Sequence, residues 1–451
     1  MRLRRPAPAS RRPAARPPRG RRLLLLLGAA AALLQPSVAR GRVELGASRA
    51  EADVTIGCLF PMTGRSAIYG RDSVGGIRVA LERLAGQPSH GRRPRLRILV
   101  DDDRSKASNA AQLAEDYVRR DGARFLCGVV SSGVAQAVSR WVVGRDVIFV
   151  GTDHASSRLT IEDRHRLYFR VSNDSFASMA AGARYLAALR HRQPWARLAF
   201  VGPDYDYGHV SLLDLRTSLD RLGVKYELVA TLWPKLYEPD YGEVIRALQA
   251  SKPDVVVAAL WGGDFIAFLK QVAATDLLER ARLANFDTGG NYDVMEALGA
   301  SPPPGLILSA RHHNNWPDTP YNRWFVETFH RLEGRYPTYA AEGAFSGIMA
   351  IAEAMQRVGP KGTTDQLVQA LEGLRIELPE DPPGFTSFID PQTHQISQAQ
   401  AIGEVVPNGD YPPAKVMLGR WVWYPAQELM APPEVLRDRM ERASHRAHVL
   451  E

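Results

Sequence analysis

From residue 53 onward, short apolar runs alternate with segments whose apolar residues recur every three or four positions. Residues 54–60 form the first run, a buried strand closed by the turn Pro61-Met62-Thr63-Gly64. Val74, Ile77, Leu81 and Leu84 then share one helical face. Strands over 96–100, 125–130 and 147–150 follow, with a helix over 110–118 between the first two. After 125–130, Val134, Ala137, Val138, Trp141 and Val142 return to helical spacing. Residues 168–174 read as a passage, after which the alternation restarts. Strands are expected over 197–201, 227–232, 254–260 and 282–286, with helices over 211–222 and around Phe265, Phe268, Leu269 and Val272. Helices over 321–332 and 340–355 precede a strand-rich stretch, 385–423, and a charged, frayed or partly helical tail over 425–451.

Strand–helix alternation of this kind implies right-handed crossovers and parallel sheets. The fold class expected is α/β, with doubly wound parallel sheets. Such sheets place their binding crevice beyond the carboxyl ends of the strands. That singles out the loops 61–69, 131–133 and 151–157 in the first unit, and 204–208, 261–263 and 286–291 in the second. At Ser131-Ser132-Gly133, a small-residue turn leads from a strand into a helix. The leading N–H groups of that helix, its dipole and two hydroxyls suit a carboxylate or phosphate, although a plain serine cap fits the same residues.

Charge changes the picture by its position. The chain carries a formal +8, but residues 1–39 hold nine arginines and no acidic residue. Taking those nine from 57 basic residues leaves 48 against 49 acidic ones, so nucleic acid is not an expected partner. An Arg-rich start, an apolar core over 23–34 and the small-residue site Ser37-Val38-Ala39 read as a secretory signal over 1–39. The mature protein is expected in the periplasm. Cys58 and Cys127 both sit in strand-like runs; they are expected as free buried thiols, although neighbouring strands would bring them close.

The order and spacing of several short motifs resemble those of periplasmic substrate-binding proteins of ABC importers, in the leucine/isoleucine/valine-binding group. The motifs are Gly57-x-x-x-Pro61-x-Thr63-Gly64 with Tyr69-Gly70, then Asp101-Asp102, Ser131-Ser132, Leu159-Thr160 and Arg170. Tyr207-Gly208, Gly262-Gly263 and the Asp287 loop continue the series. The resemblance implies a type I periplasmic-binding fold, with two lobes joined by three crossings. Lobe 1 would comprise 53–172 and 311–384, and lobe 2 would comprise 173–310 and 385–424. It further implies a ligand carboxylate on Ser132 and on the Ala155–Ser156 loop, with Tyr207 reaching in from the second lobe. Trp261 would cover the ligand, Asp287 would stand where relatives hold the ligand's ammonium, and Tyr69 would complete the site. His154 with Trp261 implies a more aromatic pocket than a branched aliphatic ligand needs. Ser131 and the Arg104-Ser105 region stand where some relatives carry a disulfide. The implied partners are a small-molecule ligand, amino acid or aromatic acid, with the balance toward the amino acid, and an ABC permease; no cofactor is implied.

Two other readings were open to these residues. Ser131 or Ser132 with His154 and Asp153 suggest a hydrolase triad, but Gly128-Val-Val-Ser-Ser-Gly133 lacks the Gly-x-Ser-x-Gly spacing, so no catalytic residue is assigned. The stronger rival is a sensory module on the same fold, reporting on an amide, urea or aromatic acid to a separate receptor. His312-His313 has no further ligands at metal-site spacing and reads as a turn.

Overall fold

The computed structural model describes residues 41–86 and 93–450, so the leader expected over 1–39 lies outside the described residues. The chain opens with β1 (Val43–Gly46), β2 (Val54–Phe60), α1 (Ala67–Gly86), β3 (Leu96–Asp102), α2 (Ala107–Asp121) and β4 (Phe125–Gly128). Next come α3 (Ser132–Val142), β5 (Ile148–Gly151) and β6 (Tyr168–Arg170). Their strands form one sheet in the order β1-β3-β2-β4-β5-β6, parallel except for the edge strand β1.

The second unit runs α4 (Ser175–Arg192), β7 (Arg197–Val201), α5 (Asp206–Arg221), β8 (Glu227–Leu232), α6 (Gly242–Ser251) and β9 (Val255–Ala258). It continues with α7 (Gly262–Ala273), α8 (Leu277–Arg280), β10 (Arg282–Asn285), α9 (Tyr292–Leu298) and β11 (Leu306–Ser309). The chain then returns to the first lobe as α10 (Pro320–Glu333), α11 (Tyr339–Val358) and α12 (Thr364–Leu371). Phe325, Phe329, Phe345 and Ile348 of these helices share a core with Ile56, Phe125 and Phe149. A small antiparallel sheet of β12 (Arg375–Ile376), β13 (Ser387–Ile389) and β14 (Ile396–Ser397) leads to the last crossing. Finally β15 (Gln400–Pro407) and β16 (Val416–Tyr424) join the second sheet, β16-β15-β11-β10-β9-β7-β8, before α13 (Pro433–Leu450). The fold is therefore two α/β lobes joined by three crossings, at 171–174, after Ser309 and at 398–399.

Both faces of the second sheet are covered. In β7 and β9, Leu198, Phe200, Val255 and Val257 enter one core, while Ala199, Val201, Val256 and Ala258 enter the other. That period-two division explains why these strands read as unbroken apolar runs.

Two expectations need correction, and one left open is resolved. Cys58 and Cys127 form a disulfide and are not free thiols: β2 and β4 are neighbours in a register that pairs these two residues, with Cα atoms 4.4 Å apart. Of the two readings of the tail, the partly helical one holds: it forms α13, fastened by Arg439. This side chain donates to Glu162 at 2.9 Å through two nitrogens and to Asp214 at 2.8 Å. The strand-like run at 125–130 ends early, at Gly128, and Val129 and Val130 belong to the crevice loop.

Candidate functional site

Loops at the carboxyl ends of six strands converge between the lobes. Val130 and Ser132 follow β4, Asp153 and Ala155 follow β5, and Tyr205 and Tyr207 follow β7. Trp261 follows β9, Asp287 and Thr288 follow β10, and Arg311 follows β11; Tyr339, from the start of α11, completes the lining. The space they enclose is about 10 Å³, room for roughly a single water. A ligand therefore enters only by parting the lobes.

Helix beginnings dominate this lining. Ser132 is the first residue of α3, Tyr205 caps α5, Tyr207 lies in its first turn, Trp261 caps α7 and Tyr339 is the first residue of α11. All four helices exceed ten residues, so each presents leading N–H groups and the positive end of a dipole to the same space. Gly262 permits the close approach at α7. Its φ is +56° and a Cβ there would lie 2.8 Å from the Tyr69 hydroxyl.

Around the anion-seeking end, Ser132 Oγ accepts the Ser156 N–H at 3.2 Å. Opposite it lies a buried ionic group. Asp287 receives the Tyr207 hydroxyl at 2.7 Å and the Ser178 hydroxyl at 3.0 Å, and pairs with Arg311 Nε at 3.1 Å. Arg311 also donates to the Asp153 carbonyl and lies 4.1 Å from the centre of the Tyr339 ring. Burial works against the charged guanidinium, but Asp287 and its other neighbours outweigh it and hold the Arg311 pKa above its ordinary value. Burial raises the Asp153 carboxyl well above the usual range, despite Arg311. Burial and then Asp287 push the Tyr207 phenol well up, so it serves as a proton donor.

Ser132, Ala155, Tyr207, Trp261 and Asp287 thus share one lining. Tyr69 stands behind it, its ring stacked on Tyr339 at 5.4 Å and its hydroxyl donating to Asp293 at 2.9 Å. Ser156 turns its hydroxyl away, to Asp206 at 2.6 Å, and so bridges the lobes. His154 also points away, into the first lobe, held by Val129 O at 2.9 Å and the Tyr168 hydroxyl at 2.7 Å. It adds nothing aromatic to the pocket. Asp287 does not cap the following glycines, whose N–H groups go to Asn285 Oδ1 and Ser309 O. Tyr205 and Thr288 lie in crevice loops that the sequence marked without singling these two out, while Arg311 and Tyr339 carried no signal as site residues. Among the described residues, no group of three or more His, Cys, Asp or Glu side chains is placed to hold a metal ion, and no helix is long and apolar enough to cross a membrane.

A family model described as periplasmic binding protein matches residues 53–410. A Leu/Ile/Val-binding protein homolog (number 6) of Brucella melitensis is 23% identical over 376 residues, covering 81% of this chain and 91% of that protein. Homolog 4 of the same organism is 23% identical over 309 residues, covering 63% and 69%. Among solved structures, an ABC-transporter solute binding protein of Rhodopseudomonas palustris, in complex with 3,4-dihydroxybenzoic acid, superposes with a TM-score of 0.71. It is 21% identical and covers 84% of this chain and 99% of its own. An amino acid ABC transporter substrate-binding protein of Pseudomonas fluorescens gives a TM-score of 0.69 at 23% identity, covering 84% and 96%. At these identities the structural likeness speaks to the fold.

Proposed function

The chain belongs to the periplasmic binding protein family, and from that premise we propose that it captures a small aromatic carboxylate between its lobes and delivers it to the permease of an ABC importer. The observation that carries this reading is the convergence of four helix N-termini on one space walled by Tyr205, Tyr207, Trp261 and Tyr339. The N-termini attract an anionic group, and the rings offer flat apolar area to an aromatic body. The ligand's acid sits at Ser132 and the Ala155 loop, with its ring against Trp261 and Tyr339.

An amino acid is the poorer fit, because Asp287 already has a cation in Arg311 and two hydroxyl donors. Asp153, whose carboxyl burial drives toward the neutral form, is no better counter-ion for an ammonium. The relatives solved with 3,4-dihydroxybenzoic acid, 4-hydroxybenzoic acid and benzoate lend support. Widening of the cleft by hinge motion admits the ring, and the exported protein works outside the cytoplasmic membrane.

A thermal-shift screen of the mature protein against aromatic acids, amino acids, amides and polyamines tests the proposal. A ligand at a hundred times its Kd stabilises the folded state by about 2.7 kcal/mol. Stabilisation by aromatic acids supports the reading; stabilisation by amino acids alone overturns it.

A further inference from the structure

A concavity beside the crossings lies away from the cleft. It has a volume of about 380 Å³ and is walled by the first crossing (Asn173, Asp174), by β14 and the start of the third crossing (Gln395 to Gln398), and by the segment 426–436 that leads into α13. That size falls within the range of small-molecule sites. Its body is apolar, built by Ile161, Ala177, Ile396, Leu429, Met430 and Leu436.

The charged groups in it are of one sign. No Lys, Arg or His lines the cavity, and its two charged residues, Asp174 and Asp390, are both acidic. Asp390 is occupied by the N–H groups of Gln392 and Thr393 and by the Thr393 hydroxyl, and Asp174 receives the Ala177 N–H. Ser397, only 3% exposed, has a hydroxyl with no hydrogen-bond partner, and Gln395 Oε1 is likewise buried and unpartnered. Buried polar atoms without partners are uncommon enough in folded proteins to call for one. Both can accept a hydrogen bond.

The roof is fixed rather than loosely laid. Arg439 of α13 grips Glu162, next to the cavity residue Ile161, and Asp214 of α5. Gln395 Nε2 donates to Ser172 O at 2.7 Å and Asn173 Nδ2 to Ala399 O at 3.3 Å, so the two crossings that form the walls are bound to each other.

We propose that this cavity is a second small-molecule site, for a cationic or neutral ligand that combines an apolar body with hydrogen-bond donors. Its chemistry is opposite to that of the cleft: it repels a carboxylate and accepts an amine or amide. A molecule seated there rests on hinge backbone and on the C-terminal segment together.

Benzylamine is a suitable probe, titrated into the mature full chain and followed by ligand-observed NMR. Saturable binding is expected near millimolar concentration, as befits so small a molecule. It should persist in Trp261→Ala, which alters the cleft, and vanish in Ala431→Trp, which fills the cavity. Ser397→Ala, a milder change that keeps the fold, should weaken it by about tenfold through one lost hydrogen bond. The proposal is overturned by the absence of saturable binding, by loss of binding in Trp261→Ala, or by unchanged binding in both cavity variants, Ala431→Trp and Ser397→Ala.

Discussion

Asp287→Asn separates two roles for the residue at the centre of the cleft. As the partner of Arg311, Asp287 holds a cation whose side chain is 4% exposed, with its own side chain at 1% and a 3.1 Å contact. Breaking a buried ion pair by removing one partner costs about 3–5 kcal/mol, because the other charge stays buried. Asparagine keeps one acceptor oxygen for Tyr207 or Ser178 and can donate its NH2 to the other hydroxyl, so the lower end, about 3 kcal/mol, is expected. Unfolding entropy of ~2.1 cal/mol/K per residue over the roughly 400 described residues is about 0.9 kcal/mol/K, giving a fall in Tm of about 3–4 °C if the lobes unfold together. Affinity for an aromatic acid should hold or improve, since the guanidinium left behind favours an anion. Were Asp287 instead the partner of a ligand ammonium, stability would change little and affinity would drop about ten- to a hundred-fold. Thermal unfolding and calorimetry on one protein preparation distinguish the two. Unchanged Tm with lost affinity refutes the assignment. The double variant Asp287→Leu with Arg311→Met should recover much of the lost stability, since no charge is then stranded.

Further outcomes follow from other parts of the fold. Cys58→Ala with Cys127→Ala opens a loop closed over a sequence separation of 69 and should cost about 4 kcal/mol in the chain-entropy account, read as a lower urea midpoint. Arg439→Ala strands the fully buried Asp214 and should destabilise by about 3 kcal/mol; an unaltered midpoint would mean α13 is not fastened as described. The Glu342 carboxyl, raised by burial to about 7 beside Glu380, binds a proton in the folded state that the unfolded chain releases near pH 4.5. Its contribution is present below that pH and is lost as pH rises through about 7, so Glu342→Gln should gain stability relative to wild type at pH 8 but not at pH 4. Buried neutral His312, lowered by burial to about 4, works the other way. It penalises the fold as pH falls below about 6.5, so His312→Asn should flatten that acid limb in urea titrations between pH 4 and 7.

Much of this was legible in the chain because strand-end loops are marked by local chemistry. Ser132, Ala155, Tyr207, Trp261 and Asp287 each lie on the loop that follows an apolar run or at its start, and the parallel topology gathers such positions. Tyr339 was hidden because it starts a helix some two hundred residues from Ser132, and only the return of the chain to the first lobe places it. Arg311 follows β11, a four-residue strand behind three prolines that gave no pattern of its own. Helix α4 is buried nearly all round, so it shows no amphipathic stripe to read. The directions of His154 and Ser156 on their extended loop were fixed by Tyr168 and Asp206, partners that periodicity cannot supply. The disulfide depended in the same way on strand register, a pairing of β2 with β4 rather than a property of either cysteine.

The most direct measurement is calorimetric titration of the mature protein with benzoate, benzamide and leucine under one set of conditions. Benzoate and benzamide share a ring and differ in charge, while leucine has the carboxylate and an ammonium but no ring. Saturable heat from benzoate is expected, with benzamide at least about tenfold weaker for want of the charge that four helix N-termini attract, and none from leucine. Leucine binding more tightly than benzoate, or benzamide matching it, would contradict an aromatic carboxylate as the ligand of the cleft.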